Sequence, residues 1–147
     1  MLHISKTRWL IAAAGALVLA LGLRSAGAAG ALAVGHTGDL AKDGYSLGIA
    51  VNMDSEDEAR KEALAWCRKN GSARTQSQCK VLEAFHNQCA AEVLDAKAGM
   101  PGTGWAVGPD KATAERRAMD MCLATAGKTR QEFCKVGTLL CDTKGGR

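Results

Sequence analysis

The chain has few of the residues that rigidify or fill large domains. Its 147 residues include two Pro, two Phe, one Tyr and three Trp, and aromatic side chains make up only 4%. This length leaves room for one compact domain and excludes a multidomain enzyme. The 17 Gly follow no three-residue period, which excludes collagen, and a hydrophobic content of 47% is too high for a disordered chain.

The N-terminal segment, residues 1–28, has the composition of a secretory signal peptide. Lys6 and Arg8 precede an uncharged run, Trp9 to Leu23, which at ~1.5 Å per residue is shorter than the ~30 Å hydrocarbon core of a membrane. Small residues follow, and we expect cleavage after Ala28 or Ala29. The mature chain is then expected in the periplasm or outside the cell, with no stable membrane insertion.

The expected mature chain is nearly neutral. Cleavage removes Lys6, Arg8 and Arg24 but no acidic residue, so the formal net charge falls from +4 to +1. A nucleic-acid-binding domain keeps clustered positive charge and aromatic residues for stacking, and the mature chain keeps neither. The sequence therefore predicts no nucleic-acid partner.

The mature chain contains one unit twice, at about residues 30–88 and 89–141. GIAVNMD at 48–54 returns as GWAVGPD at 104–110. In the stretch that follows, four residues of the first unit match four of the second: Ala59, Ala63, Trp66 and Cys67 match Ala114, Ala118, Met121 and Cys122. Because the spacing recurs, both units are expected to have the same local structure.

Each unit has the pattern of two strands, a helix and a third strand. Residues 45–51 alternate between larger apolar and small or polar side chains, which is typical of a strand. Ser55 with Glu58 has the spacing of a capping box, and a small apolar stripe with the period of a helix follows. Cys79 to His86 and Phe133 to Cys141 are predicted third strands.

Two such units predict an α+β fold with a duplicated β-β-α-β unit. We expect about six strands in an antiparallel or mixed sheet, with two helices on one face. The other face of that sheet is then exposed to solvent and is a candidate contact surface.

Six cysteines in an exported chain predict a disulfide framework. A spacing of twelve residues recurs between Cys67 and Cys79 and between Cys122 and Cys134. We therefore expect these two pairs as local bonds. With three cysteines counted per unit, and Cys89 as the third of the first unit, we expect Cys89 with Cys141 as a bond between the units. Structural zinc sites use close pairs such as C-x-x-C, which this chain lacks, so we expect neither a metal nor another cofactor.

Several short segments together resemble a known family. They are GALAVG, GIAV, A-x-x-x-A-L-x-x-C, C-K-V, F-x-N-x-C-A-A, G-W-A-V and A-x-x-R-A-M-x-x-C. This pattern resembles the bacterial secreted family known as domain of unknown function 4189, over nearly all of the mature chain. The resemblance implies an exported, disulfide-containing α+β domain with no agreed reaction, in a class sometimes found beside toxin and immunity genes. The segment from Leu94 to Thr103 is longer than the usual turn of that family.

The candidates for catalysis are few. His86, Asn87 and Cys89 are the residue types of a Cys-His-Asn hydrolase, but on a strand His86 and Cys89 point to opposite faces. We interpret His86 as the end of a strand and Asn87 as a turn. Asp54 and Asp110 occupy matching positions, and capping of the two helices accounts for both. We therefore assign no catalytic residue and expect the protein not to be an enzyme.

The remaining candidates are aromatic. Trp66 lies on the apolar stripe of its predicted helix, which favours core packing, whereas Trp105 lies beside glycine on a strand and is expected to be partly exposed. We take Trp105 and His86 as the candidate binding surface, and His36 as a loop residue. The sequence favours an exported, non-catalytic protein-binding or protective module, of a toxin-immunity or inhibitor-like kind, whose partner is another exported or envelope protein. The alternatives are a small envelope hydrolase and a structural envelope component.

Overall fold

The computed structural model describes residues 29–97, 99 and 102–142, so the predicted signal peptide lies outside the described residues. The first repeat forms β1 (Ala29–Gly35), α1 (Leu40–Asp43), β2 (Ser46–Met53), α2 (Glu56–Lys69), α3 (Ala73–Gln76) and β3 (Lys80–Phe85). The second repeat forms β4 (Cys89–Asp95), β5 (Thr103–Gly108), α4 (Lys111–Ala126), a short 3-10 helix (Gln131–Phe133) and β6 (Cys134–Cys141). The α+β class and the repeated β-β-α-β order are confirmed.

The six strands form two sheets rather than one. Each repeat builds its own antiparallel sheet around its first strand, in the orders β2-β1-β3 and β5-β4-β6. The two sheets pack face to face, and α2 and α4 cover the outer faces of the first and second sheets. The expectation of both helices on one face of a single sheet is therefore corrected to four layers, with one helix on each outside.

The alternation of side chains in β1 explains this arrangement. Ala31 and Ala33 pack with the residues of α2, whereas Leu32 and Val34 pack with Ala90 and other residues of the second sheet. Every residue of β1 is buried. Because both faces of this strand are apolar, both must be covered. The solvent-exposed sheet face that the sequence suggested as a contact surface is the interface between the two sheets.

Each long helix lies close to its sheet because the residues between them are small. A β-carbon added at Gly48 would lie 2.0 Å from the carbonyl oxygen of Ala63, and one added at Gly104 would lie 1.9 Å from that of Ala118. The buried stripes contain only alanine and cysteine: Ala59, Ala63 and Cys67 in α2, and Ala114, Ala118, Cys122 and Ala126 in α4. This contact leaves no space for a large side chain.

Trp66 is consequently not in the core, contrary to the sequence prediction. Its side chain is 48% exposed, beside the fully buried Cys67. At about 100° per residue, Trp66 lies at the margin of the stripe, about 60° around the helix from Ala63, and the close contact between α2 and the sheet leaves no space there for an indole ring. Its counterpart Met121 is half-buried.

Three disulfides use all six cysteines, and their pairs are those that the spacing favoured. Cys67–Cys79 and Cys122–Cys134 each join a long helix to the segment that follows it. Cys89–Cys141 joins β4 to β6 within the second sheet, so it does not link the two repeats as expected. Cys89 begins β4, and it therefore belongs to the second repeat.

Both long helices begin with a capping residue, but only one of the two aspartates predicted as caps is a cap. The Ser55 hydroxyl accepts the Glu58 backbone N–H at 3.2 Å, and the Asp110 carboxylate accepts that of Thr113 at 2.8 Å. Asp54 is not a cap as expected, because Ser55 stands between it and α2; its own N–H donates to the Glu58 carboxylate. None of the helices formed by the described residues is long and apolar enough to cross a membrane.

Candidate functional site

A groove of about 740 Å³ runs along the outer edge of β2, and we call it the β2 groove. The first sheet and its helix contribute Leu47, Gly48, Ile49, Ala50, Val51, Met53, Glu62 and Trp66, together with Tyr45 and Asn70 beside them. The inner face of the second sheet contributes Glu92, Leu94, Thr138 and Leu140. The groove therefore lies where the second sheet extends beyond the edge of the first.

The backbone of β2 faces this groove. Within the described chain, β2 pairs only with β1 and is an edge strand of its sheet. The Asn70 side-chain amide donates to the Leu47 carbonyl oxygen at 3.2 Å, as expected of an oxygen that faces the side of β2 without a neighbouring strand. In an antiparallel ladder, alternate residues direct both backbone groups to the same side. The N–H and C=O of Ile49, two residues further on, therefore point into the groove.

The walls of the groove are largely apolar. Trp66 on α2 and Leu140 on β6 are 48% and 39% exposed, and both line it. Trp66 is displaced from the helix–sheet contact by the small residues described above, and Leu140 lies on an edge strand beyond the cover of β2. The ammonium group of Lys69 lies 5.5 Å from the centre of the Trp66 ring, so this ring already contacts one cation.

A hydrogen-bonded carboxylate lies among the polar residues of the groove. Glu92 accepts a hydrogen bond from the Tyr45 hydroxyl at 2.5 Å and another from the Thr138 hydroxyl at 2.8 Å. Burial of the phenol, together with the adjacent carboxylate, raises the pKa of Tyr45 well above its usual range. Tyr45 is therefore a hydrogen-bond donor at neutral pH and not a base.

Trp105 and His86, the binding surface suggested by the sequence, do not line the β2 groove. Trp105 is half-buried between the sheets, with its ring centre 5.7 Å from that of Tyr45 and 5.9 Å from that of His36. His86 lies near the start of α2, where its Nε2 is 3.6 Å from a carboxylate oxygen of Glu56. Trp105 thus supports the groove through Tyr45, and His86 contacts a different element.

The residues considered for catalysis have structural contacts. Cys89 is bonded to Cys141 and has no thiolate to act as a nucleophile. Hydrogen bonds from Thr113 at the start of α4 lower the pKa of Asp110, which is then ionised at neutral pH. Among residues 29–97, 99 and 102–142, no group of three or more His, Cys, Asp or Glu side chains is placed to hold a metal ion. Cys89 and Asp110 are therefore both engaged in structural contacts.

Sequence reasoning missed Glu62, Glu92 and Leu140. Glu92 carried a signal, because it is a charged residue inside an apolar segment, CAAEVLD. Glu62 carried another, because the aligned position in the second repeat is Arg117. Leu140 had none, since its exposure depends on how the two sheets are offset.

The model of one family, described as "Domain of unknown function (DUF4189)", matches residues 29–141, which include both sheets and both long helices. The chain belongs to this family. The DUF4189 match begins at the first residue of β1 and ends at the last residue of β6. Comparisons with curated proteins and with solved structures gave no match.

Proposed function

We propose that this DUF4189 domain is an exported, non-catalytic module that binds another exported or envelope protein in the β2 groove. The observation that carries the proposal is the groove itself, in which exposed Trp66 and Leu140 flank the open edge of β2. Apolar side chains that are grouped at the surface and bordered by polar ones are typical of protein–protein contacts. Tyr45 and Glu92 supply such polar groups here.

The disulfides support the exported location. All six cysteines are paired, and structural disulfides persist in the periplasm and outside the cell, whereas the cytosol keeps thiols reduced. The N-terminal composition of the chain agrees with export. A protective module outside the cytoplasm also gains from covalent bonds that resist unfolding.

The alternative functions have less support. A hydrolase needs a nucleophile, a base and an orienting group within hydrogen-bond reach, and the candidates His86 and Cys89 are engaged by a contact with Glu56 and by a disulfide. A purely structural component needs no apolar groove along an open strand edge. A toxin-immunity or inhibitor-like role remains the specific form of binding that we favour.

Site-specific photo-crosslinking in the producing cell tests the proposal. A benzophenone amino acid replaces Leu140 in the groove, and in a matched control it replaces Leu82, which is 44% exposed on β3 and does not line the groove. We expect a discrete adduct from position 140 that is absent at position 82 and is lost when Trp66→Ala is added. Equal adducts at both positions, or adducts that survive Trp66→Ala, would refute the groove as the binding site.

A further inference from the structure

The two repeats treat the edges of their sheets differently. In the second repeat, Arg117 on α4 donates from Nη1 to the carbonyl oxygen of Val107 on the edge strand β5, at 2.8 Å. In the aligned first repeat, Val51 takes the place of Val107 and Glu62 takes the place of Arg117. A carboxylate accepts hydrogen bonds but does not donate them, so Glu62 cannot cap a carbonyl oxygen of β2. At the matching place in the first repeat, the described residues therefore put an acceptor beside the edge strand in place of a donor.

The open part of the β2 edge has defined ends. At one end, Asn70 occupies the carbonyl oxygen of Leu47. At the other end, Asn52 adopts a left-handed backbone with φ of 60°, and its N–H donates to the carboxylate of Asp142. Between these points the backbone groups of Ile49 face the groove. At ~3.3 Å per residue, the stretch from Leu47 to Val51 offers ~13 Å of strand for pairing.

The groove has the dimensions and walls of a place for one more strand. A strand paired with β2 lies ~4.8 Å from it. One face of such a strand would contact Trp66 and Glu62 of α2, and its other face would contact Leu140, Leu94 and Glu92 of the second sheet. Alternate side chains of an added strand point to opposite faces. Each face thus meets apolar surface together with one carboxylate.

The charge of the β2 groove indicates which class of peptide segment it can bind. The described residues that line the groove include two glutamates and no lysine or arginine, and the ammonium group of Lys69 lies beside the groove, 5.5 Å from the centre of the Trp66 ring. From the open edge and this charge we infer that the β2 groove binds an extended peptide segment of its partner as a fourth strand of the first sheet. That segment alternates apolar with basic side chains. This inference rests on the proposed function and specifies how the partner is recognised.

A defined synthetic probe tests the inference. The probe is a nine-residue peptide of alternating valine and lysine, blocked at both ends, and its binding is measured by titration calorimetry on the disulfide-bonded protein. One comparison peptide carries glutamate in place of lysine, and another carries N-methyl groups on every second residue along one edge. We expect one site for the lysine peptide and binding at least about tenfold weaker for both comparison peptides, because each lacks a required interaction.

Protein variants provide the matched controls. Glu62→Arg introduces at the β2 edge the residue type that protects β5, and we expect it to weaken binding at least about tenfold. Glu115→Arg makes the same charge change on α4, away from the groove, and is expected to leave binding unchanged. Thermal melting of both variants with disulfides intact shows whether each is folded. Hydrogen exchange is expected to show slower exchange of the Ile49 amide when the lysine peptide is bound.

The outcomes separate this inference from the proposed function. Equal binding of the N-methylated peptide, or an Ile49 amide whose exchange does not slow, overturns strand pairing even if the crosslinks from position 140 persist. Equal binding of the glutamate peptide overturns the charge requirement. A lysine peptide that binds in a cell-free titration, without any specific adduct at position 140 in cells, supports the pairing and refutes the proposed function.

Discussion

Asn52 and Asn87 donate their backbone N–H groups to the same carboxylate, one to each oxygen of Asp142, at 3.2 and 3.1 Å. Both asparagines have a left-handed backbone, with φ of 60° and 51°. Asp142 is fully buried, and its own N–H donates to the carbonyl oxygen of Gln88 at 2.8 Å. One side chain therefore joins the end of β2, the turn after β3 and the end of β6.

Asp142→Ala is expected to destabilise the protein more than its position beside the last strand suggests. The substitution removes two hydrogen bonds to a buried carboxylate, and a hydrogen bond to a charged group contributes about 1.5–3 kcal/mol. Urea unfolding of the variant and the wild type measures this loss. Asp120→Ala, at an exposed position on α4, is the control and is expected to change stability by less than about 0.5 kcal/mol. Equal stability of the two variants would contradict this role of Asp142.

Gly48→Ala tests the close contact between α2 and β2. The added methyl group meets the backbone of Ala63, which cannot move without the helix, so we expect a loss of about 1–3 kcal/mol or more. In Gly137→Ala the nearest atom is the end of the Leu94 side chain, which can rotate away, so this control is expected to be close to neutral. Both are measured by denaturant unfolding. A neutral Gly48→Ala would show that α2 can move away from its sheet without cost.

Arg130→Gln is expected to make the unfolding free energy of the protein less dependent on pH in the acidic range. The hydrogen bond from Arg130, assisted by the backbone N–H of Lys97, lowers the pKa of Asp95. A lowered pKa in the folded state stabilises the fold above the pKa of the unfolded state, ~3.9, and this stabilisation disappears as the pH falls through the folded value. The gap in unfolding free energy between wild type and variant should therefore be largest near neutral pH and close as the solution is acidified.

Urea unfolding at three pH values, near 7, 5 and 3, measures this gap. Arg74→Gln is the control, because Arg74 pairs with Asp43 through a side chain that is largely exposed to solvent. It is expected to show little difference from the wild type at any of these pH values. A gap for Arg130→Gln that widens on acidification would contradict the assignment.

Substitution of the catalytic candidates in the sequence is expected to leave partner binding intact. His86→Ala, Asp54→Asn and Asp110→Asn change contacts at the start of a helix, and none of these residues lines the β2 groove. The crosslinking yield from position 140 and the melting temperature are measured for each variant. If one variant loses a hydrolytic activity of the purified protein by orders of magnitude while its melting temperature is unchanged, the protein is an enzyme and the binding module is rejected.

Local features were readable from the sequence because each depends on a few neighbouring residues. The Ser55 cap, the alanine stripe that ends at Cys67 and the recurring spacing to Cys79 are set within one helix and its flanks. Because the same pattern recurs in the second repeat, the same assignments could be made for its helix and its cysteines. Pairing of β4 with β5 is continuous from Cys89 opposite Gly108 to Leu94 opposite Thr103, despite the long segment between them.

Features that join distant segments were not readable in the same way. The alternation of β1 showed that Leu32 and Val34 share a face, but only the second sheet shows what covers it. Trp66 was misplaced because its exposure depends on how closely α2 approaches the sheet. The role of Asp142 requires two left-handed residues from separate turns to meet at its carboxylate, which no local pattern encodes.

The bond between Cys89 and Cys141 has a consequence for the order of oxidation. Synthesis proceeds from the N-terminus, and the partners of the other two bonds are twelve residues apart, so each of those pairs is complete soon after its first cysteine emerges. Cys141 follows Cys89 by 52 residues, and both Cys122 and Cys134 are synthesised between them. The bond that closes the second sheet is thus the last of the three for which both cysteines are present in the growing chain.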